Sequence, residues 1–522
     1  MKTPKIAVVG AGPGGLAAAV LLAARGLDVT IYEACPEIGG RTGRVRLGEF
    51  AFDLGPTFFL MPHVLREIFA AAGRDLDDHV DLRRLDPMYR LLIGQPGGED
   101  VVVDATQDLG RMASQLSALD PNDGAAFGAF VDHNRRKLDA AEPILRRPIR
   151  SLLDLVRLDA ARALPLLKPT ESVDSLSSRY FKHPASKIAV GFQSKYLGMS
   201  PYDCPSLFTI LPFIEYEYGV WHPIGGCHAL MVALADVLRD LGGEIRTGCP
   251  VRRVCTEGGR VRGLELESGF EACDHAVINA DATWAMKNLF DETERGRVSD
   301  ASIDRKKYSC STFMMYLGVE GGVDLPHHTI RTAPDYTGNL EDIGRGGGSA
   351  GSLTEDPSFY VCNPSVTDPS LAPEGDSSLY VLLPTPNTRS PIDWSSEATP
   401  TRERLLERMR DLMGVDLSGR IREEKILTPD DWASRNINFG ATFNLAHSLD
   451  QMLHKRPQHR LPFADGAWLV GGGTHPGSGL PVIFLSAQIT ADLVLSEVGM
   501  PSDARRAAPR TPQMAGGAAC VS

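Results

Sequence analysis

Gly10-Ala11-Gly12-Pro13-Gly14-Gly15, near the N-terminus, has the spacing G-x-G-x-x-G. It follows a short β-branched run, residues 5–9, and opens an Ala/Leu-rich stretch, residues 14–25, that reads as a helix. In that context the chemistry is capture of a dinucleotide pyrophosphate. Gly10 permits the tight turn, Gly12 lets the backbone approach the phosphates, and Gly15 allows close helix–strand packing. Gly14 lies in the same run. The helix N-terminus offers free N–H groups and the positive end of its dipole. Glu33 closes a second predicted strand, residues 28–32, and stands 18 residues past Gly15. A carboxylate there accepts from the ribose hydroxyls of an adenosine half.

Two further glycine groups add to this. Gly39-Gly40-Arg41-Thr42 is followed by Asp53-Leu54-Gly55-Pro56-Thr57. Arg41 carries a forked donor suited to a pyrophosphate. Near the other end, a predicted strand, residues 467–470, runs into Gly471-Gly472-Gly473-Thr474-His475-Pro476-Gly477-Ser478-Gly479-Leu480-Pro481 and a predicted helix, residues 482–497. This junction lacks the following strand and acid of a complete nucleotide site. It presents backbone N–H groups and a helix dipole to something electron-rich. The pyrimidine edge of a flavin, negative near N1 and C2=O when reduced, matches that requirement.

The segment 39–57 resembles the flavoprotein family that contains amine oxidases and carotenoid desaturases. The segment 471–481 resembles the C-terminal signature of bacterial-type phytoene desaturases, G-x-G-T-H-P-G-x-G-x-P. Four other segments resemble the same family: Gly219-Val220-Trp221-His222-Pro223-Ile224-Gly225-Gly226, Leu325-Pro326-His327-His328-Thr329-Ile330, Asp368-Pro369-Ser370-Leu371-Ala372-Pro373-Glu374-Gly375, and Arg456-Pro457-Gln458-His459-Arg460. In the last, His459 replaces the usual Asn. The match runs from residue 5 to about residue 497.

The resemblance implies one FAD, held by Gly10, Gly12, Gly14, Gly15, Glu33, Gly40, Arg41, Gly55, Pro56, Val251, Gly473, Thr474, Gly479 and Pro481. It implies an α/β fold, a Rossmann-like FAD-binding domain with an interleaved α+β substrate domain, like that of amine oxidases and phytoene desaturases. The implied reaction desaturates an acyclic polyene, phytoene or its C30 analogue. One hydrogen leaves as hydride to flavin N5 and the other as a proton, with oxygen or a quinone as the final acceptor. Relatives that oxygenate a carotene, 3,4-desaturate it or saturate a polyene are alternatives. So is a lipid chaperone on the same fold, against which the intact glycines and Glu33 argue.

Such a substrate is long, apolar and uncharged. It needs an apolar tunnel and a positioned cofactor more than a nucleophile. Asp132 and Arg135 share a helix face, and the family carries D-x-x-R at this place, inferred to lie by the flavin. Asp132 could move a proton if burial shifted its pKa, with Arg135 orienting it; the alternative is a surface ion pair. His327 and His328 are a weak metal candidate, because neighbours on a strand point to opposite faces; no metal is expected. Phe208, Phe213, Tyr216, Tyr218 and Trp221 line a tunnel or simply pack the core.

The elements that must position these residues follow from the pattern. Helices are predicted over 62–73, 106–145 and 228–241. Strands are predicted over 244–247, 251–255, 260–266, 275–279, 313–319 and 378–383, and long loops over 321–375. The stretch 148–168 is amphipathic and could lie on a bilayer surface. The FAD domain is expected from 1–85, 220–290 and 455–500, and the substrate domain from 86–219 and 291–454. Residues 501–522 are expected to be a disordered tail.

With 522 residues the length prior is about three domains, or two large ones. Apolar residues at 43% give an ordinary globular composition, and the net charge of −12 argues against nucleic acid as a partner. Nine scattered cysteines without C-x-x-C argue against a disulfide framework. The expected location is the cytoplasm, peripherally on the inner face of the cell membrane.

Overall fold

The computed structural model describes residues 3–155, 166–168, 170–344 and 351–501. Residues 156–165 of the amphipathic stretch, most of the 344–351 glycine loop and the tail from 502 lie outside the described residues.

Lys5–Val9 is buried at four of its five positions, as a strand covered on both faces must be. It sits at the centre of a five-stranded parallel sheet, ordered Ala467–Leu469, His275–Ile278, Lys5–Val9, Asp28–Tyr32, Glu244–Arg246. The helix Pro13–Ala23 is buried along its whole length, which explains its Ala/Leu composition without a polar stripe. It packs on the helices Leu480–Glu497 and His228–Asp240. Leu480–Glu497 is long and apolar enough to cross a membrane, but 67% of it is buried inside the protein, as befits a core helix.

A second, seven-stranded sheet runs Ile421–Leu427, Ser311–Val319, Ser377–Thr385, Phe359–Cys362, His328–Thr332, Tyr89–Ile93, Val101–Ala105. Its pairings are antiparallel except for His328–Thr332 with Tyr89–Ile93. The strands of the first sheet come from both ends of the chain and from 244–278; those of the second come from 89–105 and 311–427. The chain therefore crosses between the two sheets several times.

Two expectations change. The region 321–375 is not only loop: it contains the strands His328–Thr332 and Phe359–Cys362 and the helix Tyr336–Ile343. Polar residues hide the first of these. Arg331, 2% exposed, is neutralised inside the protein by Asp356 and Asp100. The region 106–145 is two helices, Leu109–Leu119 and Pro121–Leu145. Asp120 caps the second through the Asn122 N–H, and Pro121 cannot continue the first.

Candidate cofactor site

The first strand ends at Gly10, whose positive φ turns the chain into the helix. A Cβ on Gly15 would lie 2.1 Å from the Gly10 carbonyl oxygen, so the turn admits only glycine there. Gly12 is the N-cap of Pro13–Ala23 and no side chain caps it, which leaves the first-turn N–H groups for a ligand. A Cβ on Gly14 would meet the Asn279 side chain at 2.6 Å.

Glu33 is 6% exposed. Its Oε2 accepts from the Ala11 N–H at 2.6 Å and its Oε1 from the Cys35 N–H at 2.8 Å. Each oxygen keeps a further lone pair for a hydroxyl donor. The Cys249 N–H donates to the Glu33 carbonyl at 2.8 Å, two residues before Val251 opens the strand Val251–Glu257.

The Gly39 N–H donates to the Ala11 carbonyl at 2.8 Å, and Gly40 opens a short 3-10 turn that carries Arg41. Arg41 makes no ion pair among the described residues; it donates to the Thr442 carbonyl at 2.8 Å and to Asn444 Oδ1 at 2.9 Å. Burial pulls its pKa down from the usual guanidinium value. Asp281 opposes that shift through its charge without forming an ion pair, so this partly buried cation keeps capacity for an anionic ligand.

Gly55 and Pro56 are held by the seven-stranded sheet. The hydroxyls of Tyr316 and Tyr380 donate to the Leu54 and Gly55 carbonyls at 2.6 and 2.8 Å. Tyr360 shares a hydrogen bond of 2.8 Å with Thr57. A Cβ on Gly55 would sit 2.5 Å from the Arg41 carbonyl oxygen, so these two segments touch.

The C-terminal junction approaches the first one directly: a Cβ on Gly14 would lie 3.2 Å from the Gly471 Cα. Gly479, at φ +110°, is the N-cap of Leu480–Glu497; it too lacks a side-chain cap, and Pro481 occupies the first turn. A Cβ on Gly473 would meet Ala282 at 2.8 Å. Thr474 Oγ1 donates to the Pro457 carbonyl at 2.5 Å. Arg456, 2% exposed, donates to the Gly472 and Thr474 carbonyls at 2.8 and 3.2 Å. Burial lowers its pKa to about 10.

Asn444 is the residue that sequence reasoning missed. It accepts from Arg41 and donates to Ser478 Oγ at 3.2 Å, joining the two glycine-rich junctions. Nothing in its sequence neighbourhood marks it.

The structure therefore gathers Gly10–Gly15, Glu33, Gly40, Arg41, Gly55, Pro56, Val251 and the 473–481 loop around one pair of junctions. Two uncapped, glycine-capped helix N-termini, a buried acid with spare lone pairs and an unpaired arginine fit an FAD.

Asp132 and Arg135 are placed differently. Arg135 pairs with Asp132 at 2.5 Å and with Glu217 at 3.1 Å, and lies over the Phe213 ring. The Asp132 side chain is 68% exposed, so the burial that proton transfer calls for is missing. Ile144, farther along the same helix, meets the cofactor loop: His475 Nε2 is 3.3 Å from the Ile144 carbonyl and 3.0 Å from that of Arg147. Twelve residues separate Asp132 from Ile144, about 18 Å of helix. Burial lowers the His475 pKa to about 4, which keeps this imidazole neutral. Phe213 and Tyr216 are buried in the hydrophobic cluster around the strand Tyr89–Ile93, whereas Phe208, Tyr218 and Trp221 are partly buried at cluster margins.

The sequence model for flavin containing amine oxidoreductases matches residues 13–495. The 4,4'-diapophytoene desaturase (4,4'-diapolycopene-forming) of a Methylomonas species is 41% identical over 495 residues, spanning 94% of this chain and 95% of that protein. The all-trans-zeta-carotene desaturase of Myxococcus xanthus is 39% identical over 512 residues, spanning 95% and 94%. Among solved structures, an oxidoreductase from Methanosarcina mazei superposes with a TM-score of 0.61 at 17% identity, covering 94% of this chain and 100% of its own, which shows a shared fold.

Proposed function

Since this chain belongs to the flavin containing amine oxidoreductase family, we propose that it is an FAD-dependent carotenoid desaturase. Its substrate is an acyclic polyene precursor, the C30 compound 4,4'-diapophytoene or the C40 compound phytoene. The observation that carries this reading is 41% identity to a diapophytoene desaturase over 94% of the chain.

When bound, FAD supplies the hydride acceptor. The chain's own residues hold it. Glu33 would accept from the ribose, the first-turn N–H groups after Gly12 and the Arg41 guanidinium would take the pyrophosphate, and the helix N-capped by Gly479 would serve the flavin's electron-rich edge. Tyr316 and Tyr380 fix the Leu54–Gly55 carbonyls of the segment that would help hold it. The neutral, buried His475 keeps formal charge away from an apolar substrate.

We further propose that the protein works at the inner face of the cell membrane, where such a substrate resides. Supporting this, Leu153 is 79% exposed at the start of the amphipathic stretch, close in sequence to the Ile144–Arg147 carbonyls that meet His475. Oxygen or a quinone would reoxidise the flavin.

The test is expression in two hosts, one accumulating phytoene and one accumulating diapophytoene. Coloured, more unsaturated product in either supports the reading. Unchanged substrate in both, with reducible flavoprotein present, overturns it and favours a non-catalytic lipid carrier.

A further inference from the structure

Behind the Leu54–Thr57 segment lies a group of soft donors that the cofactor site does not use. His328 opens the strand His328–Thr332 and stands directly opposite Cys362 in the antiparallel register. Residues opposite each other in register share a face, so the pairing brings an imidazole beside a thiol from 34 positions away in sequence. His327 precedes the strand, so the alternation that separates neighbouring side chains does not govern it. Its ring centroid lies 4.4 Å from that of His328.

One ring nitrogen of each histidine and the Cys362 sulfur all lie within 4.8 Å of one another. All three residues are buried, at 5%, 0% and 1% exposure. Their outer contacts are made: His327 Nδ1 meets Thr367 Oγ1 at 2.8 Å, and His328 Nδ1 meets the Tyr360 hydroxyl at 2.7 Å. Both Nε2 atoms are buried without a hydrogen-bond partner. Orphaned nitrogens of this kind are costly unless something binds them. A cavity of about 10 Å³ adjoins, lined by Asp53, Thr57, His222, His327 and Cys362 among apolar neighbours. That is room for about one water-sized ligand.

We propose that His327, His328 and Cys362 form a binding site for one soft divalent metal ion, zinc being the best match. Two imidazoles and a thiolate are the donors zinc prefers, at about 2.0 Å to nitrogen and 2.3 Å to sulfur. A tetrahedral site needs ligand separations of about 3.3–3.8 Å, so gaps of up to 4.8 Å must close by at most about 1.5 Å. The Thr367 and Tyr360 contacts act as hydrogen bonds that orient ligating histidines, and Tyr360 and Thr57 also reach the Cys362 sulfur. Asp53 is committed elsewhere, accepting from the Cys227 and His228 N–H groups, and leaves the fourth position to a water in the cavity. Tyr360 bridges His328 and Thr57. The ion would therefore brace the segment that carries Gly55 and Pro56 without touching the reacting carbons.

The test uses the full-length flavin-loaded protein, purified without a polyhistidine tag, equilibrated with equimolar zinc and dialysed. Elemental analysis should find about one zinc per chain, and X-ray absorption at the zinc edge should find one sulfur at about 2.3 Å. Cys362→Ser and His327→Gln should each weaken zinc retention by about tenfold or more while keeping flavin. If one variant fails to fold, the other and the wild-type absorption spectrum still decide. A wild-type protein with full flavin and no retained zinc overturns the proposal. So does full retention in a folded variant, or a zinc shell without sulfur.

Discussion

Arg41 donates to Asn444 at 2.9 Å across 403 positions of sequence. Asn444 passes the link on to Ser478, so the Arg41 turn near the N-terminus and the glycine-rich loop near the C-terminus form one hydrogen-bonded unit. Asn444→Ala removes a charge-assisted hydrogen bond of about 1.5–3 kcal/mol and a neutral one. FAD affinity is expected to fall by at least about tenfold, as read by fluorescence titration of the apoprotein. Wild-type affinity would mean that the link is not part of cofactor binding.

Glu33 is the second test of the cofactor assignment. Glu33→Ala strips acceptors from the Ala11 and Cys35 N–H groups and from the ribose. Flavin occupancy at limiting FAD should drop by about tenfold or more. Glu33→Gln keeps one acceptor oxygen and should fall between the two. Full occupancy in the alanine variant refutes the role.

Asp132→Asn is expected to leave turnover within about twofold, because exposed pairs contribute little. The carboxylate is exposed and its pairing is with Arg135. A loss of tenfold or more with flavin retained would restore the proton-transfer role that the sequence pattern suggested.

Glu215 is a buried acid against the strand Tyr89–Ile93. Its Oε2 accepts from Tyr89 at 2.8 Å and Gln193 at 3.0 Å, and burial raises its pKa to about 7. A carboxylate with a raised folded pKa binds a proton in the native state that the unfolded chain has released. Between about pH 4.5 and 7 this group therefore makes stability fall as pH rises. Glu215→Gln, which keeps an acceptor for both donors, removes that loss. The variant should match wild type near pH 4.5 and exceed it above pH 7 by on the order of 1–3 kcal/mol. A thermal-unfolding difference independent of pH would contradict the assignment.

Much of this was legible in the sequence because it is local. Gly10–Gly15 is a strand–turn–helix signal within a dozen residues, and steric contact of Gly15 with Gly10 is why no other residue serves. The parallel strands of the first sheet read as short apolar runs, except Glu244–Arg246 at its edge. What stayed hidden depends on long-range pairing. His328–Thr332 looks polar because its burial is made possible by Asp100 and Asp356, far away in sequence. Tyr316 and Tyr380 hold partners 262 and 325 positions distant, and Asn444 joins Arg41, 403 positions away, to Ser478. Asp132 misleads in the other direction, since its spacing from Arg135 is right and its burial is not.

The central claim is desaturation by a bound flavin. The most direct measurement is anaerobic incubation of the purified holoprotein with diapophytoene and, separately, phytoene in liposomes, followed at the flavin absorption band with product analysis. The account predicts bleaching of the flavin with at least one substrate, together with a product two hydrogens lighter. An oxidised flavin and unchanged polyene in both mixtures, from protein whose flavin dithionite can reduce, would contradict it.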